Sequence, residues 1–226
     1  MSGYGEGGAQ PLYDSFSRSV LSLDRGYLIV FEGIDGTGKT TQCLKLAEYL
    51  ESRGLPVVRL REPTQGIWGK KIRKILTEGR GDVTPEEELQ YFINDRKEDV
   101  EQNIRPALSE KKIVVIDRYY YSTAAYQGAL GFDPEKIVAD NEAFAPQPDL
   151  LLMFRGSLEN SFERIREGRD EFSAFEKREY LQKVQQIFDG FRGSHIKNIN
   201  SDLSVEGVHA SVKSVVDPLL DKAGVT

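Results

Sequence analysis

Residues 27–40 read YLIVFEGIDGTGKT, and this stretch decides the fold. Its second half, GIDGTGKT at 33–40, fits the pattern G-x-x-x-x-G-K-[ST], which binds the phosphates of a nucleotide when a strand precedes it and a helix follows. Tyr27–Glu32 is an apolar run of strand length, and a helical pattern opens at the end of the motif. The sequence therefore predicts a phosphate loop. A glycine-rich turn that matches the pattern by chance is the alternative.

The residue types of this loop explain how it would hold phosphates. Glycines allow backbone N–H groups to turn toward phosphate oxygens, and the N-terminus of the following helix favours anions. Lys39 can bridge the β- and γ-phosphates, and the Thr40 hydroxyl can ligate Mg²⁺. The predicted nucleotide-binding residues are Gly33, Gly36, Thr37, Gly38, Lys39, Thr40 and Thr41.

The rest of the chain alternates between strand and helix patterns. Further apolar or β-branched runs lie at Val57–Arg61, Ile113–Ile116, Asp149–Phe154 and Ile196–Asn200. Nearly continuous apolar runs are typical of parallel strands covered on both faces. A helical pattern covers Pro85–Leu108, and Pro106 is expected to kink or end that helix. These patterns predict an α/β fold in which helices flank both faces of a five-stranded parallel sheet.

Composition sets the domain organisation. The 226 residues, 39% of them hydrophobic, are enough for one domain with its own core. We expect a flexible N-terminal extension over residues 1–26, with a docking or targeting segment as the alternative, and a single domain over 27–226. Cys43 is the single cysteine, which excludes an intramolecular disulfide and is typical of a reducing, cytoplasmic location. The net charge of −6 and the short apolar runs argue against nucleic-acid and membrane partners.

Asp117 follows the third predicted strand. Ligands of open α/β sheets bind at the carboxyl ends of the strands, so Asp117 is predicted to join Thr40 on the metal side, with helix capping as the alternative. The Asn-Lys-x-Asp sequence by which GTPases read their base does not occur, which favours a small-molecule kinase. Such an enzyme must hold a second anionic substrate, and Arg73, Arg96 and Arg118 are the candidates for this task.

Seven segments then follow one another in a specific order. They are FEGIDGTGKTTQ (31–42), REP (61–63), GKKIRKIL (69–76), FINDR (92–96), NIRPAL (103–108), IDRYYYSTAAYQG (116–128) and PDLLL (148–152). Together they closely resemble the thymidylate kinase family over about Tyr27 to Leu220. The resemblance implies a three-layer P-loop kinase fold with a lid, transfer of a phosphoryl group from ATP·Mg²⁺ to dTMP, and a homodimer.

The resemblance also implies roles on the phosphate and sugar side of the substrate. Asp35 matches the family aspartate near the sugar 3′-hydroxyl and the metal. Arg73 and Arg118 match arginines on the monophosphate. Tyr126 matches the aromatic residue that leaves little room for a ribose 2′-hydroxyl. Glu62 precedes a position where the family often has a cis-proline.

On the base side, Phe92 matches the aromatic ring that stacks on thymine, although core packing would also explain it. Arg96 matches the arginine that hydrogen-bonds the base. Thr123 and Gln127, one helical turn apart, match polar residues that read the thymine edge. Gln127 precedes a glycine, so ending a helix is its alternative role.

The lid, about 156–177, departs from the family pattern. Relatives with glycine at position 36 usually place a catalytic arginine just before an aromatic–Glu pair, where this chain has Ala174. We expect Arg169 to serve instead and to stabilise charge on the transferring phosphoryl group. The predicted catalytic residues are Lys39, Asp35, Arg118 and Arg169, and the other arginines near the lid are Arg164, Arg166 and Arg178.

Two further departures and two other functions stay open. Residues 62–66 read EPTQG where the family commonly has EPGG, and the sequence offers no account of Arg155. A kinase for another nucleotide or deoxynucleoside shares the phosphate-loop chemistry. A non-catalytic ATP-binding relative is the second alternative, and Ala174 is the residue that favours it.

Overall fold

The computed structural model describes residues 23–165 and 171–222. The elements, in chain order, are β1 (Tyr27–Glu32), α1 (Lys39–Ser52), β2 (Val57–Arg61), α2 (Ile67–Glu78), α3 (Pro85–Asp99), a π-helical turn (Val100–Ile104), α4 (Arg105–Ser109), β3 (Ile113–Asp117), α5 (Tyr120–Gly128), α6 (Pro134–Glu142), β4 (Leu150–Arg155), α7 (Leu158–Ile165), α8 (Glu171–Gly190), β5 (Ile196–Asn200) and α9 (Val205–Lys222). The predicted strands are all present. β3 extends one residue further than expected, and β4 is shifted by one residue.

The strands form one sheet in the order β2-β3-β1-β4-β5, and all neighbouring pairs are parallel. β1 lies at the centre, and each of its six residues is buried. Its carboxyl end meets that of β3, where Phe31 pairs with Asp117. The sheet therefore brings the loop after β1 and the loop after β3 to the same edge, as the predicted fold requires.

Helices cover both faces of this sheet. Ile29 and Phe31 of β1 pack in an apolar cluster with residues of α1 and α9. Leu28 and Val30, which point to the opposite face, pack in a second cluster with residues of α5 and α8. The alternation of successive side chains across a strand accounts for the two clusters. This confirms the three-layer α/β architecture.

The helical pattern predicted over Pro85–Leu108 continues to Ser109 in three consecutive pieces. Thr84 caps the first piece, because its hydroxyl accepts from the Glu87 N–H while the Glu87 carboxylate accepts from the Thr84 N–H. The Arg105 N–H donates to the carbonyl of Val100, five residues earlier, which defines the wide turn. Pro106 follows that turn and does not end the helix. In place of the predicted kink or end at Pro106, the structure has a wide π-helical turn just before it, over Val100–Ile104.

Four residues assigned to the N-terminal extension belong to the packed domain. Leu23 is 2% exposed and lies in the cluster beneath α1 and α9. The Arg25 guanidinium pairs with Asp149 at 2.6 Å. A Cβ added to Gly26 would lie 2.4 Å from the carbonyl oxygen of Leu108, so the chain passes close to α4 here. Residues 1–22, the remainder of the predicted extension, lie outside the described residues.

None of the helices within 23–165 and 171–222 is both long enough and apolar enough to cross a membrane.

Candidate active site

The predicted phosphate loop lies between the buried end of β1 and the first turn of α1, which contains Thr40 and Thr41. Gly33 and Gly36 have φ angles of 138° and 82°, which side chains rarely allow. A Cβ on Gly36 would also lie 2.4 Å from the carbonyl oxygen of Ser161 in α7. Glycine at position 36 therefore lets the helix at the start of the lid approach the loop closely.

Lys39 is buried in this loop. Its Nζ donates to the Ile34 carbonyl oxygen at 2.5 Å and lies 3.3 Å from Thr37 Oγ1. Burial, followed by the positive charge of Arg118, lowers the pKa of Lys39 from its ordinary value of 10.5 to about 7. The lysine is thus held where phosphate would contact it, and its burial disfavours the protonated form as long as no phosphate is bound.

We expect nucleotide binding to be accompanied by proton uptake at Lys39. An adjacent phosphate favours the ammonium form and raises its pKa, so above pH 7 binding takes up about one proton, whereas well below pH 7 it takes up none. Calorimetry of ATP binding at pH 8, in buffers of different ionisation enthalpy, measures this number. Lys39→Met, titrated in the same buffers, corrects for protons released by the nucleotide. Equal proton uptake by both proteins would contradict the assignment.

Asp117 and Thr40 form the side of the loop that fits Mg²⁺. Thr40 Oγ1 donates to Asp117 Oδ2 at 2.5 Å, and Asp117 Oδ1 is buried without a hydrogen-bond partner in the part of the chain that the structure describes. Hydroxyl and carboxylate oxygens are hard ligands of the kind that Mg²⁺ prefers. Helix capping does not explain Asp117, because Glu32 accepts from the N–H groups of Tyr119 and Ser122 at the start of α5.

Arg118, Asp35 and Tyr126 connect the phosphate loop to the loop after β3. Arg118 Nη2 lies 2.6 Å from Asp35 Oδ1, and the Tyr126 hydroxyl donates to Asp35 Oδ2 at 3.0 Å. Arg118 Nη1 donates to Ser122 Oγ at 2.9 Å. The φ angle of Arg118 is 71°, in the left-handed region that residues other than glycine seldom adopt. The backbone thus turns sharply to direct this guanidinium toward the phosphate loop.

A cavity of about 620 Å³ opens beside this cluster. Its lining contains every predicted substrate-binding residue except Arg96, namely Asp35, Glu62, Arg73, Phe92, Arg118, Thr123, Tyr126 and Gln127. Phe92 belongs to neither of the two buried apolar clusters, so its ring is part of the cavity wall. The structure therefore brings together residues that are far apart in the chain.

Arg96 lies behind the wall. It is 1% exposed, and its guanidinium contacts Glu62, Asn141 Oδ1 at 2.8 Å and Thr123 Oγ1 at 3.0 Å. Burial raises the pKa of Glu62, and the charge of Arg96 opposes that increase. In this structure Arg96 holds two residues of the cavity wall and does not itself face the cavity.

The divergent 62–66 loop is fixed by its own contacts. The Glu62–Pro63 peptide bond is cis, as expected from the resemblance. Thr64 donates through Oγ1 to Asp95 Oδ1 at 2.6 Å. Arg73 donates to the Pro63 carbonyl oxygen at 2.9 Å and to Gln65 Oε1 at 3.0 Å. The Thr64 side chain thus holds the loop on α3, and the Gln65 side chain accepts from the Arg73 guanidinium on α2.

The lid is described only in part. Arg166 and Arg169 lie outside the described residues, and so do the side chains of Arg164 and Ala174. Arg178 is described, and its guanidinium pairs with Glu159 on α7.

Arg155, for which the sequence offers no explanation, lies 3.3 Å from Asp189 Oδ1 on α8. Arg155 thus forms an ion pair between β4 and α8.

Sequence reasoning missed several residues of the cavity wall. Arg61, Glu88, Asp99 and Tyr180 also line it. The spacing of Glu88, one helical turn before Phe92, could have identified it. Tyr180 donates to the carbonyl oxygen of Tyr126 at 2.9 Å from α8, a contact that no local pattern indicates.

Comparison with known proteins agrees with this geometry. The family model described as thymidylate kinase matches residues 31–212. The chain is 48% identical over 204 residues to the thymidylate kinase of Desulfotalea psychrophila, covering 90% of this chain and all of that one. It is 41% identical to the probable thymidylate kinase of Archaeoglobus fulgidus, covering 86% of this chain and 96% of that one.

Among solved structures, a crystal structure of thymidylate kinase from Ehrlichia chaffeensis matches with a TM-score of 0.69 and 30% identity. The match covers 85% of this chain and 99% of that chain. The phosphate loop, the adjacent cavity and these likenesses lead to one conclusion: the chain belongs to the thymidylate kinase family.

Proposed function

We propose that this protein transfers the γ-phosphoryl group of ATP to the phosphate of dTMP, giving dTDP and ADP. The observation that carries the proposal is the continuity of two sites. The phosphate loop and the 620 Å³ cavity meet at Asp35, which contacts both Arg118 and Tyr126. A donor nucleotide on the loop and an acceptor in the cavity would thus have their phosphates side by side.

On the phosphate side, catalysis rests on positioning the two phosphates and on neutralising their negative charge. The acceptor phosphate is already anionic, so the attack on phosphorus needs no strong general base. Arg118 and Arg73 would hold the acceptor phosphate, and Lys39 would neutralise charge on the transferring group. We propose that Arg169 of the lid also neutralises charge on the transferring group.

On the base side, the wall offers one flat ring and two polar side chains. Phe92 would stack on the pyrimidine, while Thr123 and Gln127 contact its edge. Tyr126, held by Asp35, would lie against the deoxyribose. These assignments rest on the positions of the side chains in the cavity and on the family resemblance.

The remaining parts of the proposal concern the metal, the assembly and the location. Thr40 and Asp117 would hold Mg²⁺, which supplies charge neutralisation to the nucleotide phosphates. We propose a homodimer, since Ile67 at the start of α2 is 68% exposed, an apolar side chain that a second copy would cover. We propose the cytoplasm, which supplies ATP and keeps thiols such as Cys43 reduced.

The test is ADP production from ATP·Mg²⁺ with dTMP, dUMP, dCMP, dGMP, UMP and thymidine as acceptors. We expect dTMP to be the best acceptor and dUMP to be about 10- to 200-fold poorer, because one methyl group in an apolar pocket is worth little more. Preference for another acceptor would retain the phosphate-loop chemistry and contradict the base-side assignments. ATP binding without transfer to any acceptor would identify a non-catalytic relative.

A further inference from the structure

A buried carboxylate lies in the base-side wall of the cavity. Glu88 is 4% exposed, lies one turn before Phe92 on α3 and lines the cavity. One of its carboxylate oxygens, Oε2, pairs with the guanidinium of Arg80. The other, Oε1, accepts a hydrogen bond from Gln127 Nε2 at 3.0 Å. Both carboxylate oxygens therefore have protein partners, and one of these partners is Gln127, which is predicted to contact the base.

This contact determines which way the Gln127 amide faces. The two ends of an amide have nearly the same shape but opposite hydrogen-bonding character. A carboxylate that pairs with a guanidinium only accepts, so it must be met by the NH₂ end of the amide. Gln127 Oε1 is then left buried and without a hydrogen-bond partner in the described part of the chain. An acceptor in the cavity wall that lacks a protein partner is suited to a donor on the ligand.

We propose that Glu88, held by Arg80, is a positioning residue that orients the Gln127 carbonyl toward the N3–H group of a bound pyrimidine and thereby excludes cytosine. The inference rests on the proposed function and deepens it. Thymine and uracil carry a hydrogen on N3, whereas neutral cytosine presents a bare nitrogen acceptor there. Two acceptors facing each other in a buried site leave both without a partner, which is the kind of mismatch that polar sites reject strongly.

The test compares dissociation constants for dUMP and dCMP, which differ only at this edge of the base. In Glu88→Gln the new amide can donate to Gln127 Oε1, so the Gln127 amide can turn over and present its NH₂ group to cytosine. We expect the preference for dUMP over dCMP to fall by at least about tenfold. The preference for dTMP over dUMP, which depends on the methyl group, should stay unchanged. General damage to the cavity would weaken all three nucleotides together.

Glu86→Gln is the matched control, because Glu86 lies in the same first turn of α3 but is exposed and outside the cavity lining. Arg80→Met is a second variant at a partly exposed position. It removes the ion pair that fixes the Glu88 carboxylate, so Glu88 can turn away from Gln127 and the dUMP preference should fall in the same direction. This variant keeps the inference testable if Glu88→Gln does not fold. A dUMP preference equal to wild type in folded Glu88→Gln, or in Arg80→Met, would overturn the inference. Turnover of dTMP by the wild-type protein distinguishes failure of this inference from failure of the proposed function. If the wild-type protein does not turn over dTMP, the proposed function itself is overturned.

Discussion

Replacing Lys39 with methionine is expected to lower kcat by at least about 10²–10³ while the protein stays folded. Lys39 is the buried cation of the phosphate loop, and its removal takes away charge stabilisation that grows as the phosphoryl group transfers. Methionine has a similar length and apolar stem. The main structural loss is the contact of Nζ with the Ile34 carbonyl oxygen, worth about 1 kcal/mol. Steady-state kinetics with ATP and dTMP, together with a thermal melt, measure both effects.

Lys45→Met is the matched control, since Lys45 lies on the same helix but beyond the phosphate loop. Its kcat should stay within about twofold of wild type, because surface substitutions away from a site have small effects. If Lys39→Met retained near-normal kcat in a folded protein, Lys39 would not be the catalytic lysine. A fall in the ATP affinity with kcat unchanged would mean that Lys39 binds the ground state and the transition state equally.

The sequence predicts the layers and the phosphate loop because both depend on local patterns. Five apolar runs separated by helical patterns predict a parallel sheet. The carboxyl ends of its strands then lie at one edge, which brings Thr40 and Asp117 together. The family resemblance adds eight of the residues that line the cavity.

What could not be predicted depends on contacts between helices. Arg96, predicted to hydrogen-bond the base, lies on α3 against α5 and α6, where its guanidinium also contacts Thr123 and Asn141. The same holds for the Glu88–Gln127 bond, which joins α3 to α5 across 39 positions of the chain. No spacing rule indicates such a pair, because the approach of two helices is decided by packing throughout the core.

Replacing Arg118 with methionine is expected to lower both kcat and kcat/KM for dTMP, each by about 10²–10³. Arg118 contacts Asp35 of the donor loop and also lines the acceptor cavity. Its two terminal nitrogens bond Asp35 and Ser122, and the guanidinium lies over the ring of Tyr126 at 5.2 Å. Bridging two phosphates becomes most favourable when charge is shared between them, as it is during transfer. The kinetic constants of the variant measure this contribution.

Arg118→Lys separates charge from geometry. Lysine keeps the positive charge and has the same Cβ, so the backbone at φ 71° meets no new strain, but the planar fork is lost. A lysine variant almost as impaired as the methionine variant would show that two directed N–H donors are needed. Arg53→Met is the control, because Arg53 also pairs with an aspartate, Asp217, but at the opposite end of α1. A rise in the KM for dTMP with kcat unchanged would contradict a role in the transition state, because Arg118 would then only hold the acceptor.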